Sequence, residues 1–136
     1  SEVAFHAAQA GMECTQRYLR EEIEYLNNNG MPSPVPAINC FGESAITVDH
    51  TSNGGVHSLD FETSWSDVRC TQVSVFILDA RSQTNLLSLA VNNQGLETLD
   101  CEGGDVCTYV FSRGYNRDCG NLDSLRTIQR ELTATF

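Results

Sequence analysis

Apolar residues recur at helical spacing along the first 26 residues of the chain. Apolar positions at i, i+3 and i+4 form one face of an amphipathic helix. The pattern therefore predicts a helix over residues 1–26, about 39 Å long at its usual rise per residue. Its apolar stripe contains Ala4, Ala8, Met12, Leu19, Ile23 and Leu26, widened by Val3, Ala7, Cys14 and Tyr18.

This helix becomes less polar toward its N-terminal end. Residues 1–12 contain one carboxylate, Glu2, and four alanines, whereas residues 13–26 contain four glutamates and two arginines. Such a gradient is typical of a helix that continues into an apolar environment, so we expect the natural helix to extend beyond Ser1. The alternative is a complete helix with Ser1 as its N-cap, although no Glu or Gln stands at position 4 to complete a capping box.

The helix is followed by a stop signal and a stiff connector. Three asparagines precede Gly30, which suits the left-handed position at a helix C-terminus. The prolines of the chain, Pro32, Pro34 and Pro36, then favour an extended backbone. We therefore predict a helix over residues 1–29 and a proline-containing connector over residues 30–40.

Beyond residue 40 the pattern becomes that of β-structure. Residues 59–65 alternate between apolar or bulky and polar side chains, which predicts a half-buried strand. Residues 73–78 carry apolar side chains on both faces, which predicts the central strand of a sheet. Further strands are predicted at residues 45–49, 87–91, 108–112 and 126–136, with turns at residues 51–55 and 92–95. The prediction is one α+β domain over residues 1–136, with residues 41–136 forming an antiparallel sheet and a C-terminal loop region.

Composition and charge restrict the class of protein. The chain has 136 residues, 40% of them hydrophobic, which is enough for a single core. Its net charge is −10, and all eight basic residues are arginines. An acidic surface repels phosphate groups, so we expect no nucleic-acid partner. The lack of lysine excludes Schiff-base chemistry.

Six cysteines form the second strong signal. No Cys-x-x-Cys pair is present, so three disulfide bonds in an exported protein are more economical than a zinc site; buried free thiols are the alternative. Six cysteines allow 15 connectivities. Because Cys101 and Cys107 flank a short glycine-containing loop, we predict a local bond between them. Our hypothesis for the other four is Cys14–Cys40 and Cys70–Cys119.

The sequence offers little for catalysis. It contains no nucleophile-elbow, phosphate-loop or dinucleotide-binding motif, and oxidised cysteines provide no thiol nucleophile. His50 and His57 flank the predicted hairpin and could face each other near Asp49. Their spacing fits no familiar metal motif, so surface histidines in a turn are the preferred interpretation. We predict that the protein is not an enzyme and holds no metal there.

One acidic loop is a weak calcium candidate. Asp100, Glu102 and Asp105 surround two glycines, and calcium takes six to eight oxygen ligands in flexible geometry. Their spacing does not match an EF-hand, so a solvated acidic loop is the preferred interpretation. No other cofactor is expected.

Two stretches of sequence give the chain a family resemblance. The opening SEVAFHAAQAGMEC (residues 1–14) resembles the part of a type IV pilin helix that follows the membrane-embedded half. The ending, with SRGYN (residues 112–116), Cys119 and LRTIQRELTATF (residues 125–136), resembles the close of a subgroup of these proteins. Cys14, Cys40, Cys70 and Cys119 also fall where that subgroup tends to place cysteines, and the Cys101–Cys107 pair looks like an addition.

The resemblance implies a pilin-like roll and a structural role. Such a subunit is held in the inner membrane by an apolar helical segment, which would precede Ser1 here, and then packs with copies of itself or with other pilins in an extracellular filament. The assembly helix would contribute Val3, Ala4, Ala7, Ala8 and Met12. Small alanines, Ala10 among them, permit close helix approach; the alternative is that they pack on the protein's own sheet.

The resemblance also implies an exposed ligand loop beside Cys119, formed by Arg113, Tyr115, Asn116 and Arg117; turn chemistry alone is the alternative. Trp65 is expected in the core rather than as a binding anchor, and we expect Arg126 and Arg130 to form ion pairs.

Three roles for the protein are open. The preferred one is a structural subunit of a type IV pilus-like filament, which could serve motility, adhesion, DNA uptake or secretion. The others are a minor pilin or secretion pseudopilin, and a freestanding exported binding or adhesion module.

Overall fold

The described part of the chain combines one long helix with two antiparallel sheets. In the computed structural model the described residues are 2–22, 34–53, 56–65, 69–79 and 106–135. The helix is α1 (Glu2–Glu22), and a short 3-10 helix lies at Cys119–Asn121. The strands are β1 (Ile38–Cys40), β2 (Glu43–Ile46), β3 (Asp49–Asn53), β4 (Val56–Trp65), β5 (Arg69–Asp79), β6 (Val106–Tyr115) and β7 (Gln129–Thr135).

The strands pair in the order of the chain. β1 and β2 form a separate hairpin, and the main sheet has the order β3-β4-β5-β6-β7, with every neighbouring pair antiparallel. Helix α1 packs on β5, β6 and β7. The predicted α+β class, with one N-terminal helix and antiparallel sheet, is confirmed, and β5 is the central strand as predicted.

Helix α1 forms because alanine has the highest helix propensity and the apolar residues repeat every three or four positions. Its buried side is made of Ala4, Ala7, Ala8, Gly11, Met12, Cys14, Thr15 and Tyr18. No helix among the described residues has the length and apolar character required to cross a bilayer. The predicted continuation over residues 23–29 and the stop at Gly30 lie outside the described residues.

The hydrophobic core lies between α1 and the sheet. In β4, Leu59, Phe61 and Thr63 are buried while the residues between them are exposed, which confirms the predicted alternation. In β5, Val73, Val75 and Ile77 join Met12 and Tyr18 of the helix in this core. Phe76 and Leu78 of β5 are buried on the other face of the sheet. Side chains on both faces of β5 are therefore buried, as the apolar pattern of residues 73–78 predicted.

The region before β3 differs from the prediction. Ile38–Cys40 is a strand rather than part of the connector, and residues 45–49 are divided between β2 and β3 instead of forming one strand. The hairpin closes because Phe41 and Gly42 both adopt positive φ, at 60° and 76°. A bulky residue at positive φ is rare, so this turn could not be predicted from the sequence pattern. Ala45, with φ of 58°, accompanies the irregular end of the β1–β2 pairing.

Three other element boundaries in the structure differ from the predicted ones. Residues 51–53 belong to β3 rather than to the predicted turn, so the hairpin connection is shorter. The strand predicted at residues 108–112 extends over the whole of β6, and the last strand begins at Gln129 rather than at residue 126. The strand predicted at 87–91 and the turn at 92–95 lie outside the described residues.

Candidate functional site

The most constrained contact in the described structure is the joint between α1 and β6. Ala4, Ala7 and Ala8 are fully buried, and the backbone of α1 lies directly on Gly114 of β6. A Cβ at Gly114 would come within 3.0 Å of backbone atoms of all three alanines. The alanines and the glycine are therefore needed together, because any larger residue would hold the helix away from the sheet.

Hydrogen bonds fix this joint in register. The hydroxyl of Thr71 donates to the backbone carbonyl oxygen of Ala7 at 2.9 Å, and the hydroxyl of Ser112 donates to that of Ala8 at 2.7 Å. Thr71 also accepts a hydrogen bond from the indole Nε1 of Trp65, 3.0 Å away. Both hydroxyls are fully buried, where an unpaired polar group is costly. Sliding the helix along the sheet would break both bonds.

A second small residue extends the close contact by one turn. Gly11 lies against Thr71 and Ser112, where a Cβ would come within 3.0 Å of both side chains. Thr15, one turn further on, donates its hydroxyl to the carbonyl oxygen of Gly11 at 2.7 Å. The inner face of α1 is thus shaped by small residues over two turns.

These contacts bear directly on the predicted assembly helix. Ala4, Ala7, Ala8 and Met12 are buried in the protein's own core, and Val3 is half-buried. Ala4, Ala7 and Ala8 therefore pack on the protein's own sheet, as the alternative interpretation held, whereas Ala10 is half-buried. Phe5 is the large apolar side chain that α1 leaves accessible, with 43% of its surface exposed. Sequence reasoning missed it because it lies outside the apolar stripe.

Two disulfide bonds join cysteines that both lie within the described residues. Cys14–Cys40 joins α1 to β1, and Cys70–Cys119 joins β5 to the 3-10 helix, so both predicted pairs are present. Cys107 is also disulfide-bonded. Its predicted partner, Cys101, lies outside the described residues.

The C-terminal part of α1 is further tied to the connector. The hydroxyl of Tyr18 donates to the carbonyl oxygen of Pro36 at 2.6 Å, and the Arg17 guanidinium donates to that of Asn39 at 3.3 Å. Together with the Cys14–Cys40 bond, these contacts attach the segment around β1 to the helix.

The predicted ligand loop is for the most part a strand. Arg113 and Tyr115 lie in β6, and Tyr115 is buried with its hydroxyl donating to Gln72 at 3.0 Å. Arg113 donates to the hydroxyl of Ser74 at 3.0 Å and lies 3.8 Å from the carboxylate of Glu131. The prediction of an exposed loop is wrong for these two residues, because the strand continues through Gly114.

Asn116 and Arg117 do follow the strand, but they are half-buried. The amide of Asn116 bridges two positions of the next segment: its Nδ2 donates to the carbonyl oxygen of Arg126 and its Oδ1 accepts from the backbone N–H of Ile128. Asn116 therefore shapes the turn, as the alternative interpretation held. Leu125 in that turn is fully exposed, which sequence reasoning did not anticipate.

The ion pairs predicted for Arg126 and Arg130 are not formed within the described part of the chain. Neither Arg126 nor Arg130 makes an ion pair within the described residues, and Arg130 donates to the carbonyl oxygen of Gln129 at 3.0 Å. Both side chains are exposed, where ion pairing contributes little.

Trp65 lies at the edge of the core, half-buried. Its ring stacks on Phe41 with centroids 5.2 Å apart, and the guanidinium carbon of Arg69 is 4.9 Å from its ring centroid. Phe41 reaches the indole from the positive-φ turn between β1 and β2. The stack therefore attaches the small hairpin to the main sheet.

His50 and His57 face each other across the β3–β4 hairpin, as the sequence suggested. The Nε2 of His50 lies 3.0 Å from the Nδ1 of His57, and the ring centroids are 5.2 Å apart. Both side chains are half-buried. Asp49 pairs in register with Asp60 and, as the neighbour of His50 in a strand, points to the opposite face of the sheet.

The calcium candidates Asp100, Glu102 and Asp105 lie outside the described residues. Within the described ranges, one group of three potential metal ligands occurs, made of Glu62, Cys70 and Cys119. Its two sulfur atoms are joined to each other in a disulfide bond, so the group offers only a single carboxylate.

Comparison with known proteins identifies no relative of this chain. No protein-family model, no curated protein and no solved structure matches the chain.

Proposed function

We propose that this chain is the globular part of a type IV pilin-like structural subunit, which assembles with copies of itself or with other pilins into an extracellular filament. The observation that carries the proposal is the joint between α1 and the sheet. An N-terminal helix that anchors a subunit in a filament must pass the load to the globular part without sliding. The hydroxyls of Thr71 and Ser112, both bonded to helix carbonyl oxygens, provide such a fixed register.

The disulfide bonds support the same role. Cys14–Cys40 and Cys70–Cys119 are bonds of the kind that persist in oxidising compartments, such as the periplasm and the cell surface. They also reduce the conformational freedom of the unfolded chain, which suits a filament exposed to shear.

In this proposal, assembly contacts come from the outer face of α1. The inner face is occupied by the protein's own sheet, so Ala4, Ala7 and Ala8 cannot also meet another subunit. Phe5, with 43% of its surface exposed, lies on the available side of the first turns. An apolar helical segment before Ser1 would complete the assembly helix and hold the subunit in the inner membrane before assembly. Head-to-tail contacts between such subunits do not close and therefore form a fibre.

The test is mass spectrometry of the mature N-terminus in filaments sheared from the source cells. An abundant chain with an apolar segment before Ser1 would support a major pilin. The same extension in trace amounts would support a minor pilin or secretion pseudopilin. A mature chain that starts at Ser1 and is absent from filaments would overturn the proposal in favour of a freestanding exported binding module.

A further inference from the structure

The two facing histidines of the β3–β4 hairpin have a geometry that suits more than a hydrogen bond. We propose that His50 and His57 together bind a late first-row divalent cation of the Zn²⁺ class. The proposal is independent of filament assembly. It rests on the distance between the two ring nitrogens, on the rigid strands that carry them and on the acidic character of the chain.

The distance between the nitrogens is close to that of a shared metal ion. Zn²⁺ binds imidazole nitrogen at about 2.0–2.1 Å, so two such ligands lie about 3.3 Å apart in a tetrahedral site and about 2.9 Å apart in a square-planar one. The Nε2 of His50 and the Nδ1 of His57 are already 3.0 Å apart. Their lone pairs must converge on one point, which requires a rotation about χ2, a torsion that is soft in histidine.

The strand register holds the pair in place before any ion arrives. His50 is opposite Leu59 and His57 is opposite Ser52, so the two histidines occupy diagonal positions on the same face of the hairpin. Diagonal neighbours of this kind are within reach of long side chains. Regular strands position metal ligands more precisely than loops do. This helps a pair of histidines that would each bind the ion weakly alone.

Binding requires a change of tautomer in one of the two rings. In the hydrogen-bonded pair, one of the two facing nitrogens carries a hydrogen atom and the other accepts the hydrogen bond from it. When the ion binds, the donor imidazole takes its other tautomer, so both facing nitrogens present a lone pair and the pair as a whole loses no proton. Water can occupy the remaining coordination positions, since β3 is an edge strand of the sheet among the described residues and both rings are partly exposed. The net charge of −10 draws cations to the surface.

The test uses the full oxidised chain and ZnCl₂ alone, followed by isothermal titration calorimetry. We expect one saturable site in the wild type, and binding at least about tenfold weaker in His50→Ala and in His57→Ala. His6→Ala is the matched control, because His6 is the third histidine of the chain, is exposed on α1 and should leave the affinity unchanged. CaCl₂ should not compete, because calcium prefers oxygen ligands.

The alanine variants could lose zinc binding because they alter the hairpin, so a second measurement uses the unmodified protein. In the unmodified protein, ¹⁵N resonances of the His50 and His57 rings should shift with added Zn²⁺ while those of His6 stay in place. The proposal is overturned if the wild type shows no saturable zinc binding, if the two alanine variants bind as tightly as the wild type, or if the ring resonances of the pair do not move. In the last two cases the zinc would be held by surface carboxylates, and the histidines would form a hydrogen bond only.

Discussion

The hydroxyl of Ser112 donates a hydrogen bond to the carbonyl oxygen of Ala8 at 2.7 Å, across 104 positions of the chain. Two residues further along β6, Gly114 lies against the helix backbone itself. Ser112, whose side chain reaches the helix, and Gly114, which has no side chain, thus lie next to each other on the same face of the strand. This pairing sets the distance between α1 and the sheet.

Gly114→Ala should destabilise the protein strongly. The added methyl group would overlap backbone atoms of Ala4, Ala7 and Ala8, so either the helix or the strand must move. Overpacking of this kind costs about 1–3 kcal/mol or more. Urea denaturation followed by circular dichroism measures the loss. Gly120→Ala is the control, since a Cβ there meets its nearest atom at 3.6 Å and the change should stay within about 0.5 kcal/mol. Equal midpoints for the two variants would contradict the tight joint.

Thr71→Val should lower stability and change the environment of Trp65. Valine keeps the shape of threonine but loses both the bond to the carbonyl oxygen of Ala7 and the acceptor for the indole N–H. Leaving a buried partner unpaired costs about 1–3 kcal/mol. Because Trp65 is the sole tryptophan, its fluorescence reports the change directly. Thr133→Val on the exposed face of β7 should be nearly neutral. An emission spectrum identical to that of the wild type would argue against the Trp65–Thr71 bond.

Ala45→Gly should stabilise the protein. Ala45 has φ of 58°, where an L-residue costs about 1–2 kcal/mol relative to the right-handed conformation. The gain is partly offset by the greater freedom of glycine in the unfolded chain, so we expect a net increase of about 0.5 kcal/mol in the free energy of unfolding. Ala37→Gly is the matched control: Ala37 is also exposed but does not have positive φ, and its replacement should lower stability. A loss of stability in both variants would show that position 45 is not strained.

Removing either disulfide bond should cost several kcal/mol. The cysteines of the Cys70–Cys119 bond are 49 positions apart, and those of Cys14–Cys40 are 26 apart. Loop-closure entropy then gives losses of about 4 and about 3.5 kcal/mol for the paired Cys→Ala variants. Denaturation of each double variant, with the other bond intact, measures the effect. A loss below about 1 kcal/mol would indicate that the unfolded chain is constrained in some other way.

Phe5→Ser should impair assembly without affecting folding, if the chain is a filament subunit. The ring is 43% exposed on α1, so its replacement should leave the melting temperature nearly unchanged. The amount of the variant in sheared filaments, relative to the total in the cells, measures incorporation. Gln9→Ser, one turn further along the exposed side, is the control. Incorporation of Phe5→Ser at the wild-type level would show that Phe5 makes no essential contact.

Sequence patterns predicted the elements whose burial follows a simple period. The alternation in β4 and the two-faced strand β5 were correct because each side chain's environment depends on its position in a regular sheet. The loop prediction for Tyr115 was wrong because the turn preference of glycine at position 114 was overridden by a contact distant in sequence, the backbone of α1 against Gly114. The turn at Phe41 was not predicted at all, since phenylalanine is rare at positive φ, and its ring stacks on the distant Trp65.

The prediction of an assembly face rested on a local pattern that several partners could satisfy. A stripe of alanines permits close approach to any partner, and nothing in the stripe distinguishes a neighbouring subunit from the protein's own sheet. The features that identify the sheet as the partner of the helix are in β6. There Ser112 donates a hydrogen bond to the helix and Gly114 leaves space for the helix backbone. The facing histidines, by contrast, could be anticipated because a hairpin connects them directly.

The order of elements also governs how the chain is made. Helix α1 is synthesised before the strands, yet Ser112 follows Ala8 by 104 residues. At about 5–20 residues per second, the ribosome needs roughly 5–20 s to supply that partner. During this interval β3, β4 and β5 can pair as they emerge, because each contacts its neighbour in the chain. The alanine face of α1 has no such local partner, so the nascent helix must be shielded from aggregation until the last third of the protein has been translated.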